Sequence, residues 1–174
     1  MTSKTFLNLI ANGKSDVVQE FLETLSSLKI DYCVVGGLAV NVYAEPVVSL
    51  DLDLVLAIDK TDKLISEIKD KYAVETFIHS INLKHPESDL RIQLQTDIRY
   101  QPFIQRAEKK SVLGYEMIVA SLVDVLSGKV WAYQDEERRK SKRQKDLADI
   151  MRLVETHPEL LKLLPENLQK KISE

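Results

Sequence analysis

The sequence predicts an α+β fold: a mixed β-sheet flanked by helices, followed by a C-terminal helical segment. Three observations predict it. Short apolar, β-branched runs at residues 30–35, 50–58 and 90–96 alternate with segments of helical periodicity, in the order α-β-α-β-α-β-β. After residue 119 the pattern turns mostly helical. No repeat or low-complexity linker divides the 174 residues, which suits one compact unit with residues 1–119 as the sheet domain and 120–174 as helices packed on it.

Each element has its own signal. Val17, Val18, Phe21, Leu22, Leu25 and Leu28 recur at helical spacing, predicting a helix over 15–29 with Ser15 as N-cap. Residues 30–35 read as a buried strand. The helix after Gly36-Gly37 is short, because Glu45 precedes Pro46 and is driven away from helical backbone. Residues 50–58 read as a strand with Leu50, Leu52 and Leu54 facing the core, and 61–71 as an amphipathic helix carrying Leu64, Ile65 and Ile68. Residues 74–84 and 90–96 read as two strands joined at His85-Pro86-Glu87-Ser88. In the second, Leu90, Ile92 and Leu94 face one way, and Arg91, Gln93, Gln95 and Asp97 the other. A short helix at 102–110 and a hairpin at 111–119 around Gly114 follow. Ser121-Leu122-Val123-Asp124 resembles a capping box with Asp for Glu and opens a helix to about Tyr133. The last long helix carries the stripe Leu147, Ile150, Met151, Leu153 and Val154. Pro158 and Pro165 begin two short terminal helices.

Composition narrows the function classes. At 44% apolar and 29% charged, the chain is an ordinary globular one. One cysteine, Cys33, allows no internal disulfide and reads as a buried structural thiol. There is no run of 18 apolar residues and no long apolar core after Met1-Thr2-Ser3-Lys4, so no membrane association and a cytoplasmic location are expected. A net charge of −3 argues against a surface that coats nucleic acid.

The chemistry concentrates in residues 34–56. Asp51 and Asp53, two apart on a strand, share a face with Cα atoms roughly 6.5–7 Å apart. Two carboxylates so placed repel unless a cation lies between them, and Mg²⁺ takes one or two carboxylates plus phosphate oxygens. Gly36 and Gly37 let backbone N–H groups approach a phosphate at the start of a helix. Walker and G-x-G-x-x-G patterns are absent, and an EF-hand fails because Leu56 stands where its glycine is required.

The stretch Gly36-Gly37-Leu38-Ala39 through Ser49-Leu50-Asp51-Leu52-Asp53 resembles the signature of the nucleotidyltransferase superfamily with a DNA-polymerase-β-like palm. It looks closest to the small prokaryotic MNT and AbiEii-like groups of toxin–antitoxin and abortive-infection systems. The likeness continues through residues 121–129 and Lys145-Asp146-Leu147-Ala148-Asp149-Ile150. It implies Mg²⁺- or Mn²⁺-dependent transfer of a nucleoside monophosphate from an NTP to a protein or RNA acceptor, and a cognate toxin or antitoxin as partner. Asp51 and Asp53 would be the catalytic metal ligands. Gly36, Gly37, Ser49, Lys129, Lys145 and Asp146 would bind nucleotide. The family's third carboxylate falls on Gln93, a weak metal contact through its carbonyl that cannot act as a base. A palm that binds nucleotide or partner without full catalysis is therefore the alternative.

Two features stay open on residue grounds. Lys129 reads either as a snorkelling surface lysine or as a triphosphate contact. Lys145 and Asp149, four apart on a helix, could simply pair as the alternative to a nucleotide contact by Lys145. Arg138, Arg139, Lys140, Lys142, Arg143 and Lys145 form a basic run, either a solvated helix start or a contact for RNA or polyphosphate. His79, His85 and His157 lack metal spacing and read as structural.

Overall fold

The computed structural model describes residues 2–173. Its elements run α1 (Ser3–Ile10), α2 (Val17–Ser27), β1 (Tyr32–Val35), α3 (Gly36–Tyr43), β2 (Asp51–Leu56), α4 (Thr61–Ile68), β3 (Ala73–Thr76), β4 (Ser80–Lys84), β5 (Arg91–Gln95), α5 (Phe103–Arg106), β6 (Glu108–Val112), β7 (Tyr115–Val119), α6 (Leu122–Gln134), α7 (Lys140–Thr156) and α8 (Glu166–Ser173). The strands form one mixed sheet in the order β3-β4-β5-β2-β1-β7-β6. Pairings β1–β7 and β2–β5 are parallel and the others antiparallel. This is the expected α+β architecture.

The alternation in β2 and β5 decides what each sheet face does. Leu52, Leu54, Ile92 and Leu94 are fully buried in one cluster with the inner faces of α2 (Phe21, Leu25) and α4 (Leu64, Ile68). The opposite face carries Asp51, Asp53, Arg91 and Gln93. At roughly 25 cal/mol per Å² of apolar surface removed from water, the leucine face holds the strands in register. A slip of one residue would bury the carboxylates instead. Residues of α6 and α7, including Val125, Leu126, Ile150 and Leu153, belong to the same core cluster as the sheet.

Several boundaries differ from expectation, each for a local reason. The helix α1 was not expected; Thr2 caps it by accepting from Thr5 N–H at 3.2 Å. The cap of α2 is Asp16 rather than Ser15: its Oδ1 accepts from Gln19 N–H at 3.1 Å and from the Tyr115 hydroxyl at 2.7 Å. The expected strand 74–84 is a hairpin, β3 and β4, closed by Phe77 N–H donating to Ser80 O at 2.8 Å. Apolar residues at 74, 77, 78 and 81 hid the turn. The helix expected at 102–110 stops at Arg106, because Glu108 onward pairs with β7. The two-residue turn joining β6 to β7 puts Leu113 at φ 52° and Gly114 at φ 83°, the positive pair a twisted hairpin favours. The last of the two terminal segments is α8; the one beginning at Pro158 is a 3-10 turn over Pro158–Leu163. No described helix is long and apolar enough to cross a membrane.

Cys33 lies at the centre of β1 with no exposed surface. Burial first, and the charge of Asp124 second, push its thiol up to about 12. Thiolate is the reactive form. We expect Ellman's reagent to leave native protein untouched at pH 8 and to titrate one thiol per chain in denaturing urea. Prompt labelling without urea would show that β1 opens readily.

Candidate active site

Where β1 ends, the chain turns sharply into α3. Gly36 makes that turn at φ 71°, in the left-handed region. A Cβ there would lie 2.1 Å from Asp53 Oδ2, a distance no side chain accommodates. Gly36 is therefore required twice, by its backbone conformation and by the carboxylate pressed against it. Gly37 is different: a Cβ there would meet Ser49 Oγ at 3.5 Å, an ordinary contact. The first turn of α3 has no side-chain cap, because Val35 occupies the N-cap position. Its leading N–H groups therefore have no side-chain acceptor, and Gly36 lines the cavity beside Asp53.

Strand register assembles the rest. Val35 pairs with Asp53, Asp53 with Gln93, and Gln93 with Asn82, so these side chains form one row across the sheet. Asp51 pairs with Arg91. The Arg91 Nη2 lies 2.7 Å from Asp51 Oδ1, and Lys142 Nζ from α7 lies 3.7 Å from Asp51 Oδ2. The Arg91 contact is one of charge; its angle leaves the buried Asp51 Oδ1 without a hydrogen bond. Ser49 is buried and its hydroxyl accepts from Asp51 N–H at 3.4 Å. Asp53 makes no ion pair among the described residues. Burial, above all, pushes its carboxyl up to about 6; Lys129, Arg138 and Lys145 pull it down and Asp51 pushes it further up. No group of three or more His, Cys, Asp or Glu side chains suited to a metal occurs among the described residues. Two carboxylates, one with an oxygen lacking a donor, and the amide carbonyl of Gln93 beside them still fit a divalent cation that completes its shell with phosphate oxygens.

Lys129 is neither at the surface nor free. It is 7% exposed. Its Nζ lies 2.7 Å from Asp149 Oδ2 and 3.1 Å from Asp146 Oδ1. Burial would depress the ammonium, but Asp149 and Asp146 outweigh it and hold its pKa above the usual lysine value. Asp146 also takes Arg138 Nε at 2.7 Å, and Asp149 takes Arg152 Nη1 at 2.7 Å. The alternative in which Asp149 pairs with Lys145 does not occur: Asp149 pairs with Lys129 and Arg152, and Lys145 is exposed. Arg152 continues the chain of charges to the Asn41 side chain at 2.9 Å and to Glu45 O. Asn41 in turn donates to Val47 O at 2.7 Å and accepts from Val47 N–H at 3.0 Å. The segment that leads to Ser49 and Asp51 is fixed by this linkage. Within the basic run, Arg138, Lys142 and Arg143 make defined contacts, the last donating to Tyr133 O at 2.7 Å. His157 places Nε2 2.8 Å from Tyr43 O.

A cavity of about 130 Å³ lies between the polar sheet face and α6, lined by Gly36, Asp51, Asp53, Gln93, Lys129 and Asp146. It adjoins a wider cleft of about 790 Å³ bounded by the tip of the β3–β4 hairpin, Arg91, Arg99 and Trp131. Asp51, Gln93, Arg138 and Lys142 line both. The volume is that of a small-ligand site. Arg91 was missed as a site residue in the sequence, and Lys142 was read only as one member of the basic run. The signal for Arg91 was available: placing Gln93 beside Asp53 places Arg91 beside Asp51.

The family model described as nucleotidyl transferase AbiEii toxin, Type IV TA system, matches residues 20–173. Among solved structures, the chain is similar to the lincosamide antibiotic adenylyltransferase LnuA in its lincomycin-bound form, at 15% identity over 82% of this chain and 99% of that one, TM-score 0.55. It is similar to the antibiotic-resistance factor ANT(2'')-Ia, at 10% identity over 90% and 89%, TM-score 0.61. It is also similar to an antigenic nucleotidyltransferase-like protein from Paracoccidioides brasiliensis, at 20% identity over 98% and 85%, TM-score 0.53. At these identities the common ground is the fold. No curated protein matches the chain.

Two outcomes follow from the electrostatics. Lys129→Met leaves Asp146 and Asp149 buried with one partner fewer each, and should lower unfolding free energy in urea by about 3–5 kcal/mol. Asp53→Asn should act the other way. The folded-state carboxyl is raised to about 6 from 3.8, so folding favours its protonated form and its contribution to stability falls as pH rises from about 4 to about 6. Metal-free Asp53→Asn should therefore match the parent near pH 4 and exceed it in stability at pH 7.5; equal stability at both would contradict the raised carboxyl.

Proposed function

Because the chain belongs to the AbiEii nucleotidyltransferase family, we propose that it transfers a nucleoside monophosphate from an NTP to a protein or RNA acceptor with release of pyrophosphate. The observation that carries this reading is the contact of Gly36 with Asp53: a glycine turn, uncapped helix donors and a metal-type carboxylate meet in one cavity. Asp51 and Asp53 would hold Mg²⁺ or Mn²⁺, with the Gln93 carbonyl as a weaker contact. Bound there, the cation would neutralise phosphate charge and make the α-phosphorus more electrophilic.

The chain's own residues do the rest. The N–H groups at Gly36 and Gly37, at the uncapped start of α3, would donate to the phosphates, and Ser49 steadies the approach to Asp51. The acceptor hydroxyl enters through the wider cleft and its oxygen bonds to the α-phosphorus as the bond to pyrophosphate breaks. Gln93 cannot take the hydroxyl proton; we assign it to Asp53, its neighbour in register. Lys129 and Asp146 act on the nucleotide by holding α6 and α7 in place, and the exposed Lys145 supplies positive charge near Asp53. The family description supports a toxin–antitoxin setting, with a cognate antitoxin as partner; we propose the cytoplasm as its place of action.

Gln93 favours a second reading, a palm that binds Mg-NTP without turnover. Incubation with α-labelled NTPs, Mg²⁺ and cellular RNA or protein separates the two. Under the first, label moves to an acceptor and Asp53→Ala reduces transfer by about 10²–10³-fold. Under the second, calorimetry shows Mg-NTP binding without transfer, and Gln93→Asp restores some.

A further inference from the structure

We propose that Arg91 and Lys142 are the mobile cations of the site: they hold Asp51 in the nucleotide-free protein and pass to the polyphosphate when nucleotide and divalent cation enter together. This rests on the nucleotidyl-transfer reading above. The two residues approach Asp51 from different walls, Arg91 from the adjoining strand at 2.7 Å and Lys142 from α7 at 3.7 Å, one on each carboxylate oxygen. Asp51 is 20% exposed, whereas Arg91 is 60% and Lys142 31%, so the carboxylate is fixed and the cations can swing away. Lys129, by contrast, cannot leave its place without stranding two buried carboxylates. Lys142 lines both the inner cavity and the wider cleft, and Arg91 lines the cleft.

The consequence is an order of loading. A divalent cation arriving alone finds Asp53 without an ion pair but must compete with two positive charges for Asp51. A cation arriving with a triphosphate offers those same two charges a polyanion in exchange. Cation and nucleotide therefore assist each other, and by linkage the assistance is reciprocal.

Free Mn²⁺ measured by electron paramagnetic resonance tests this, with and without α,β-methylene-ATP, in the parent, Arg91→Ala, Lys142→Ala and the double variant. Lys109→Ala, on the far hairpin and paired with Glu116, removes the same charge at a distance and serves as control. Each site variant should bind Mn²⁺ alone about fivefold more tightly than the parent and lose about fivefold of the mutual enhancement with nucleotide analogue. In EDTA each should bind the analogue more weakly. Arg91→Lys should keep most of the parent's behaviour. Unchanged or weaker Mn²⁺ binding by Arg91→Ala and Lys142→Ala would overturn the proposal while leaving nucleotidyl transfer intact. Failure of the parent to bind Mn²⁺ with the analogue at all would overturn the nucleotidyl-transfer reading itself.

Discussion

The clearance between Gly36 and Asp53 governs the site. With a Cβ at position 36 only 2.1 Å would separate it from Asp53 Oδ2, so the chain must give up a side chain where β1 becomes α3. From that turn α3 leaves the sheet, and it packs against both α6 and α7. The carboxylate, the turn and the helix start form one unit whose parts are set by the same few ångströms. A leucine face on the other side of β2 supplies the register that holds Asp53 there.

A second constraint ties the helical half to that unit. From Arg138 through Asp146, Lys129, Asp149 and Arg152 to Asn41, positive and negative or polar groups alternate across α6, α7 and α3. Buried charges are tolerable only because each has a partner of opposite sign. The series ends on the loop before β2, so the helices that roof the cavity and the strand that floors it are joined through the lysine–aspartate cluster as well as through apolar contact.

Much of this was legible in the sequence. The spacing of Asp51 and Asp53, the two glycines, the proline stop and the alternating β5 all report local rules of backbone and periodicity, and they placed the palm and its polar face. What escaped was set by pairing across distance. The apolar residues at 74–84 read as one strand because nothing in their composition marks the turn at residues 77–79. Ser15 lost the cap to Asp16 because Tyr115, 99 residues away, stabilises the aspartate. Lys129 read as either a surface side chain or a triphosphate contact and not as a buried ion-pair centre, since its two carboxylate partners lie on another helix. Strand register puts Gln93 beside Asp53, as the alternation of β5 implied, but the cations around Asp51 became visible only once that register and α7 were in place.

The β3–β4 hairpin stands apart from these interlocked parts. All four residues of β3 are exposed, the strand lies at the margin of the sheet, and Ile78 at its tip is 89% exposed while bordering the wide cleft. Substitution in β3 or at the tip disturbs neither the core nor the charge cluster, whereas Leu83 of β4 belongs to the core. The molecule thus separates its interlocked machinery from an exposed margin: changes in β3 and at the tip can alter what the cleft accepts while leaving the carboxylate turn untouched.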